Sequence, residues 1–460
     1  MAAKSLFVFA TLCWALSSSY AQTPALDFSQ ARQLAHDRVD SIKVEAAETA
    51  KRESEAKSAR SLHGPKIELD SKQIWGRKTL DYGTVNLGGL IPGLHLPPSL
   101  HLPPIDLYHE EDIGGPRAAI NAQLPIYMGG AINAKVRAAD EAVYESQART
   151  QAQRDTVDTE LAQKYFAVQL ARSIERLQNE MLHQQELEVR KALRFEKTGT
   201  ISRLERMAVE VNRDTAKREL LTAQTNRRVA ESELAGLLRE ENVGELKNPL
   251  FVVTEDIGTL KSWQDKALGA SPVLKSVVAQ RRQAEQGVTA AKAAWHPQVY
   301  AFANYNMIKH YLTIPEPDWI AGIGLKFTLW DNKDRNASIA AANSLVTKAQ
   351  AAHDEARNRI QTAVQTAYLK SNEAREAYRL TDSTLSLAKE NLRLREKGFS
   401  EGLSTADEVN DARTKLLAAE IARRVAAYRF VVAWAMLNAA CGDMNAFEQS
   451  VTRQTNIFEY

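Results

Sequence analysis

Leu124-Pro125-Ile126-Tyr127-Met128-Gly129-Gly130-Ala131-Ile132-Asn133-Ala134 (residues 124–134) closes an alternating apolar segment and opens a run without glycine or proline that lasts to residue 198. An offset of 203 lays Phe327-Thr328-Leu329-Trp330-Asp331-Asn332-Lys333-Asp334-Arg335-Asn336-Ala337 over it, again ahead of a Gly- and Pro-free run, 334–397. The same offset sets Gly199-Thr200-Ile201-Ser202 over Gly402-Leu403-Ser404-Thr405, Glu205 over Glu408 and Leu234 over Leu437. Upstream, Ala59–Pro65 matches Ala291–Pro297 at an offset of 232, so an insertion of 29 residues falls within 83–113. The chain is therefore one unit written twice. Each copy is expected to read helix, strand, loop, strand, long helix, turn, helix. The boundaries expected are a leader at 1–21, a first repeat at 22–238, a linker at 239–262 holding Gly244, Pro249 and Gly258, a second repeat at 263–442, and a tail at 443–460.

The long runs are helical in pattern. They are Ala-rich, with apolar residues at heptad-like spacing, as in Leu161, Tyr165, Val168 and Ala171, or Ile360, Val364, Ala367 and Tyr368. At about 1.5 Å per residue each run reaches roughly 100 Å, whereas an ordinary globular helix has three or four turns. A packed bundle and a hollow helical tube satisfy this periodicity equally. Gly199 and Gly402 end the runs, as expected of helices that stop in a left-handed residue. Ser202-x-x-Glu205 and Thr405-x-x-Glu408 are capping boxes that open the next helix.

Ahead of each long run lies a period-two segment. Ala118, Ile120, Ala122, Leu124 and Ile126 alternate with Ala119, Asn121, Gln123 and Pro125, and Ala321–Leu329 repeats the pattern. Preceding strands are expected near 66–80 and 298–311, giving four strands of about 10–14 residues, a length suited to a tilted bilayer crossing. Trp75, Tyr82, Tyr108, Tyr127, Tyr311, Trp319 and Trp330 stand where strand ends are expected, the place of an interfacial aromatic belt. A soluble sandwich shows the same alternation. If the strands lie in lipid, four cannot close a barrel and an open edge cannot face hydrocarbon, so several copies must share one.

Composition narrows the function. Fifty-nine basic residues balance 57 acidic ones, which gives no field for nucleic acid. Lys4, the apolar Leu6–Leu16 and Ser19-Tyr20-Ala21 read as a cleaved secretory signal. Cys13 leaves with it, and Cys441 alone forms no internal disulfide. No later apolar run is long enough for a transmembrane helix. There is no P-loop, dinucleotide glycine pattern, HExxH or nucleophile elbow, so no enzyme, cofactor or metal site is expected. Within the insert, Leu94-His95-Leu96-Pro97-Pro98 nearly recurs as Leu100-His101-Leu102-Pro103-Pro104, and with His109 it reads as a surface loop carrying incidental histidines.

Taken together, the tandem repeat, Pro125-Ile126-Tyr127-Met128-Gly129-Gly130 at the strand-to-helix junction, and the Gly-x-x-Ser/Thr-x-x-Glu turns resemble the TolC family of outer-membrane efflux ducts over nearly the whole mature chain. The resemblance implies a mixed α and β fold. Long antiparallel helical hairpins would build a periplasmic α-barrel, and four strands would join a shared transmembrane β-barrel in a homotrimer set in outer-membrane lipid. It implies passive export, with an inner-membrane pump and a periplasmic membrane-fusion adaptor as partners, in tripartite efflux or type I secretion. Gly199, Ile201, Ser202, Gly402, Leu403 and Thr405 become adaptor contacts at the tip. Pro125, Gly129, Gly130 and Trp330 mark the strand-to-helix junctions. Glu390 and Arg393 fall at the entrance, in a stretch more basic than the acidic ring such ducts often carry. The alternative is a periplasmic coiled-coil scaffold without a pore, which the alternating strands and their aromatic ends speak against.

Overall fold

The structure, a computed structural model, describes residues 25–85, 105–310, 312 and 316–453. The expected leader at 1–21, His95 and His101 of the insert, and Tyr311 lie outside them. In chain order the elements are α1 (Phe28–Arg38), α2 (Asp40–Arg60), β1 (Lys66–Val85), β2 (Ile105–Met128), α3 (Ala131–Lys197), α4 (Arg203–Leu238), α5 (Leu260–Ala270), α6 (Pro272–Lys292), β3 (Gln298–Asn306), β4 (Trp319–Lys326), α7 (Arg335–Ser400), α8 (Ala406–Ala440) and α9 (Met444–Thr452).

Three features differ from the sequence expectation. The leading helix of each repeat is two helices, broken at Val39 and Ser271, both extended in ψ and separated by the repeat offset of 232. Pro272 explains the second break, because a proline disfavours helical backbone in the residue before it. The strands are unequal: 20 and 24 residues in β1 and β2 against 9 and 8 in β3 and β4. The described parts of the inserted stretch, 83–85 and 105–113, are strand, and Trp75 stands inside a long strand rather than at its end. Finally, the expected tail holds α9, whose Met444, Phe447 and Val451 are buried.

The chain forms two compact units. One takes the segments ending at Glu45, Thr150–Pro272 and that beginning at Arg357. Its core is aromatic. Phe28 meets Tyr165 edge-on at 5.6 Å and Phe447 at 5.4 Å, Phe166 meets Phe251 at 5.8 Å, and Phe430 stacks on Trp434 at 6.0 Å. Such pairs add about 0.5–1.5 kcal/mol each beyond their area burial. The Tyr165 hydroxyl donates to the Leu26 carbonyl at 2.9 Å and ties the segment before α1 to α3. Beside this core the fully buried Asp158 accepts from Arg32 at 2.8 Å and meets the His36 ring at 2.6 Å, while Arg32 also reaches Glu448 at 2.6 Å. One turn earlier, buried Asp155 accepts from Gln151 at 2.9 Å through one oxygen, and its other oxygen has no hydrogen-bond partner. Burial pushes its carboxyl up to about 6, and the charge of Asp158 adds to the rise.

The other unit, Ala46–Arg149 with Val273–Ala356, carries the sheet. Its order is β1-β2-β3-β4, antiparallel throughout, with β1 and β4 as open edges. Among the described residues no helix is long and apolar enough to cross a membrane.

Candidate functional site: sheet face and hairpin tips

Register sorts the sheet into two faces. On one lie Ile67 and Leu69, Ile120, Ala122 and Leu124, Val299, Ala301, Ala303 and Tyr305, then Trp319, Ala321, Ile323 and Leu325. On the other lie Lys66, Glu68, Asp70 and Lys72 with Asn121, Gln123, Asn304 and Lys326. The apolar face is bare: Leu69, Trp319, Ile323 and Leu325 are each about two-thirds exposed or more (68, 66, 74 and 68%). A contiguous apolar surface of this kind marks an interaction with lipid or protein. The polar face is ordered by its own pairs. Asn304 donates to Asn121 at 2.7 Å across β2 and β3, and the rings of Tyr300 and Phe302 lie over Gly324 and Gly322. A side chain at Gly324 would stand 2.6 Å from the Tyr300 ring. Arg117 binds both oxygens of Glu316 at 2.6 and 2.8 Å, fastening the chain between β3 and β4 to β2.

The two strand-to-helix junctions solve one problem differently. In the first, Pro125 sits at a register shift in β2, and Gly129 and Gly130 turn with φ of 64° and 88°. Gly129 has a second constraint, since a Cβ there would stand 2.6 Å from the Ala293 carbonyl oxygen and 2.9 Å from the His296 Cβ. The second junction has Asn332 and Lys333 in their place and no left-handed residue. There Asp334 accepts from the Ala337 N–H at 2.9 Å, Arg335 donates to the Thr328 carbonyl at 2.5 Å, and its guanidinium lies 5.2 Å over the Trp295 ring. Trp330 stands four residues beyond β4, 86% exposed.

In the other unit the hairpin tips match bond for bond. After α3, Gly199 at φ 73° lets the Thr200 N–H reach Phe195 at 2.8 Å and its own N–H reach Glu196 at 3.0 Å. After α7, Gly402 at φ 76° does the same, Leu403 reaching Gly398 at 2.7 Å and Gly402 reaching Phe399 at 3.2 Å. Both are Schellman closures, which satisfy carbonyls that the helix leaves open. Ser202 and Thr405 then cap α4 and α8 with reciprocal bonds to Glu205 and Glu408. Leu403 is 79% exposed and Ile201 partly so.

Behind the tips runs a cleft of about 530 Å³, lined among others by Gln185, Glu188, Val209, Phe399 and Asn410. Arg413 on α8 spans it, bonding Glu188 of α3 at 3.1 Å and Glu396 of α7 at 2.8 Å, while Gln185 donates to Asn410 at 2.6 Å. The two ties to α3 join residues 225 apart, and no local pattern announces them. Glu390 and Arg393 pair with each other through two bonds of 2.7 and 2.8 Å on the exposed surface of α7, and Arg393 holds the Glu390 carboxyl below its usual range. Among the described residues no group of three or more His, Cys, Asp or Glu is placed to hold a metal ion.

Long helix hairpins are thus joined in one chain to a short amphipathic sheet. The model of the outer membrane efflux protein family matches residues 31–238 and 263–443, and the chain belongs to that family. Its fold is shared with the outer membrane protein VceC of Vibrio cholerae (TM-score 0.71, 16% identity, 90% of this chain and 96% of that one). It is shared also with the open-state MtrE outer membrane channel of Neisseria gonorrhoeae (0.67, 18%, 90% and 89%) and the CmeC outer membrane channel of Campylobacter jejuni (0.67, 14%, 93% and 90%). At these identities the likeness is one of fold. No curated protein matches the sequence.

Proposed function

We propose that the chain is the outer-membrane exit duct of a tripartite efflux or type I secretion system. Three copies close their sheets edge to edge into one twelve-stranded barrel, and their helices form a tube in the periplasm. The observation that carries this reading is the sheet itself, which has two open edges and an apolar face of Leu69, Ile120, Trp319, Ile323 and Leu325 left bare. Lipid covers such a face without cost, while unpaired strand edges in lipid cost several kcal/mol per group, so copies must pair. The helices supply a matching seam. Leu380, Leu387 and Leu394 recur at heptad spacing on α7, and Leu204 and Val211 do so on α4, all exposed. These apolar stripes suit packing against another copy.

Conduction in this reading is passive: the inner-membrane pump supplies the energy and the duct supplies the path. The periplasmic adaptor meets the tips at Gly199, Ile201, Ser202, Gly402, Leu403 and Thr405, where two tight turns present Ile201 and Leu403. Glu390 and Arg393 stand at the entrance as a neutral pair. No cofactor takes part. The test is fractionation of expressing cells, followed by gels of the membrane fraction with and without heating. A heat-sensitive trimer in the outer membrane is expected. A soluble periplasmic species would refute the duct and leave the helical scaffold.

A further inference from the structure

The first hairpin outruns the sheet. Pairing of β2 with β3 ends at Ala119–Asn306, whereas β1 and β2 stay paired out to Val85–Ile105. At about 3.3 Å per residue the excess is roughly 40 Å of two-stranded ribbon. A ribbon of two strands is marginal in water unless a third strand or a buried face supports it.

Its polarity is also reversed. Register puts Arg77, Thr79, Asp81, Asp106, Glu110 and Asp112 on the side that is apolar lower down. There Arg77 bonds Glu110 at 2.8 Å and Asp112 at 3.0 Å. The side that carries Lys66, Glu68, Asp70 and Lys72 below now carries Ile74, Ile105 and Leu107, the last two about half exposed (48 and 45%). His109 shares this side. Strands cannot exchange faces within a continuous ladder, so this change marks a level. Below it lipid lies outside and water inside; above it the outside is wet and the inside apolar.

On the trimeric-duct reading, twelve strands become six at that level. Barrel diameter grows roughly in proportion to strand number, and about eight strands leave an interior that side chains just fill. Six strands leave less, so their inner face must be a packed core. We propose that the outer segments of β1 and β2 (74–85 and 105–115) from three copies pair with one another into a narrow six-stranded collar above the membrane. Ile74, Ile105 and Leu107 meet their counterparts around the axis, and the collar constricts the exit. The occupant of the apolar face is the same segment of the other two copies. The free edges of the ribbon find partners in the same step, continuing the seams of the barrel below.

The experiment uses the full-length chain in outer membranes, with Leu107→Cys on the inner face and Tyr108→Cys on the outer. Mild oxidation should link two of three chains through position 107 and none through 108. A bulky impermeant maleimide on whole cells should label position 108 at least about ten-fold faster, as burial of a thiol against neighbours requires. Equal labelling with no cross-link, while the unheated gel still shows a trimer, would overturn the collar and leave the duct standing. Protection of 107 without a cross-link would put it against lipid or another protein and would equally overturn it. Loss of the trimer in the unmodified chain would remove the duct and the collar together.

Discussion

Replacing Asp155 by Asn should change how stability depends on pH more than how large it is at any one pH. The carboxyl is buried, and one of its oxygens has no partner. Its pKa rises from 3.8 to about 6, first through burial and then through the charge of Asp158. A raised acid pKa means that the folded state holds the proton more tightly than the unfolded one. The folded state is therefore not penalised well below pH 3.8, loses stability as pH climbs towards 6, and stays penalised above that. At about 1.4 kcal/mol per pKa unit, the penalty is about 3 kcal/mol at pH 7.5 and about half a kcal/mol at pH 4. Asn removes it. The new amide keeps the bond from Gln151 but buries a donor where the partnerless oxygen was, a constant cost of about 1–3 kcal/mol. That cost cancels when two pH values are compared. The variant should therefore gain roughly 2 kcal/mol on the wild type between pH 4 and pH 7.5. The assay is guanidinium unfolding of purified protein at fixed concentration, followed by helical circular dichroism. A constant difference between variant and wild type across that range would refute the reasoning, because Asp155 would then ionise as an exposed carboxylate does.

Other consequences are more local. Gly129→Ala combines a left-handed backbone with a 2.6 Å approach to a carbonyl and should cost about 2–5 kcal/mol, whereas Gly130→Ala, with open space around it, should cost only about 1–2; equal midpoints for the two would show that the cradle at Ala293 yields. Asp158→Ala leaves Arg32 with Glu448 as its remaining carboxylate and takes away the partner of His36, and should lower stability by about 1.5–3 kcal/mol, read from the same unfolding curves. Ser202→Ala and Thr405→Ala each remove half of a capping box. Each should cost about 1 kcal/mol, seen as roughly five-fold faster amide exchange in the first turn of α4 or α8 with the aromatic core unchanged.

What could be read from the sequence was whatever local spacing encodes. Each tip lies within seven residues, Gly199 to Glu205 and Gly402 to Glu408, and the glycine, hydroxyl and carboxylate have one geometric use together. The apolar side of β2 and β4 followed from alternation. The length of β1 and β2 did not, because beyond Trp75 the polar residues move to the other side and a strand there no longer looks continuous with the one below. The break at Val39 carries no proline or glycine to betray it. Arg413 was silent for another reason: its carboxylates come from α3 and α7, and only the assembled helices bring them together.

The left-handed residue that ends α4 is Arg239, with φ of 52°; the offset of 203 places Gly442, with φ of 65°, after α8. Val39 and Ser271 pair in the same way at the helix breaks, one before an aspartate and the other before a proline. At these sites the two copies share torsion angles where their residues differ. Arg239 accepts a conformation that usually costs a non-glycine residue about 1–2 kcal/mol, where the sister copy has a glycine. Distant duplications of this kind are better sought by aligning backbone angles than by aligning letters.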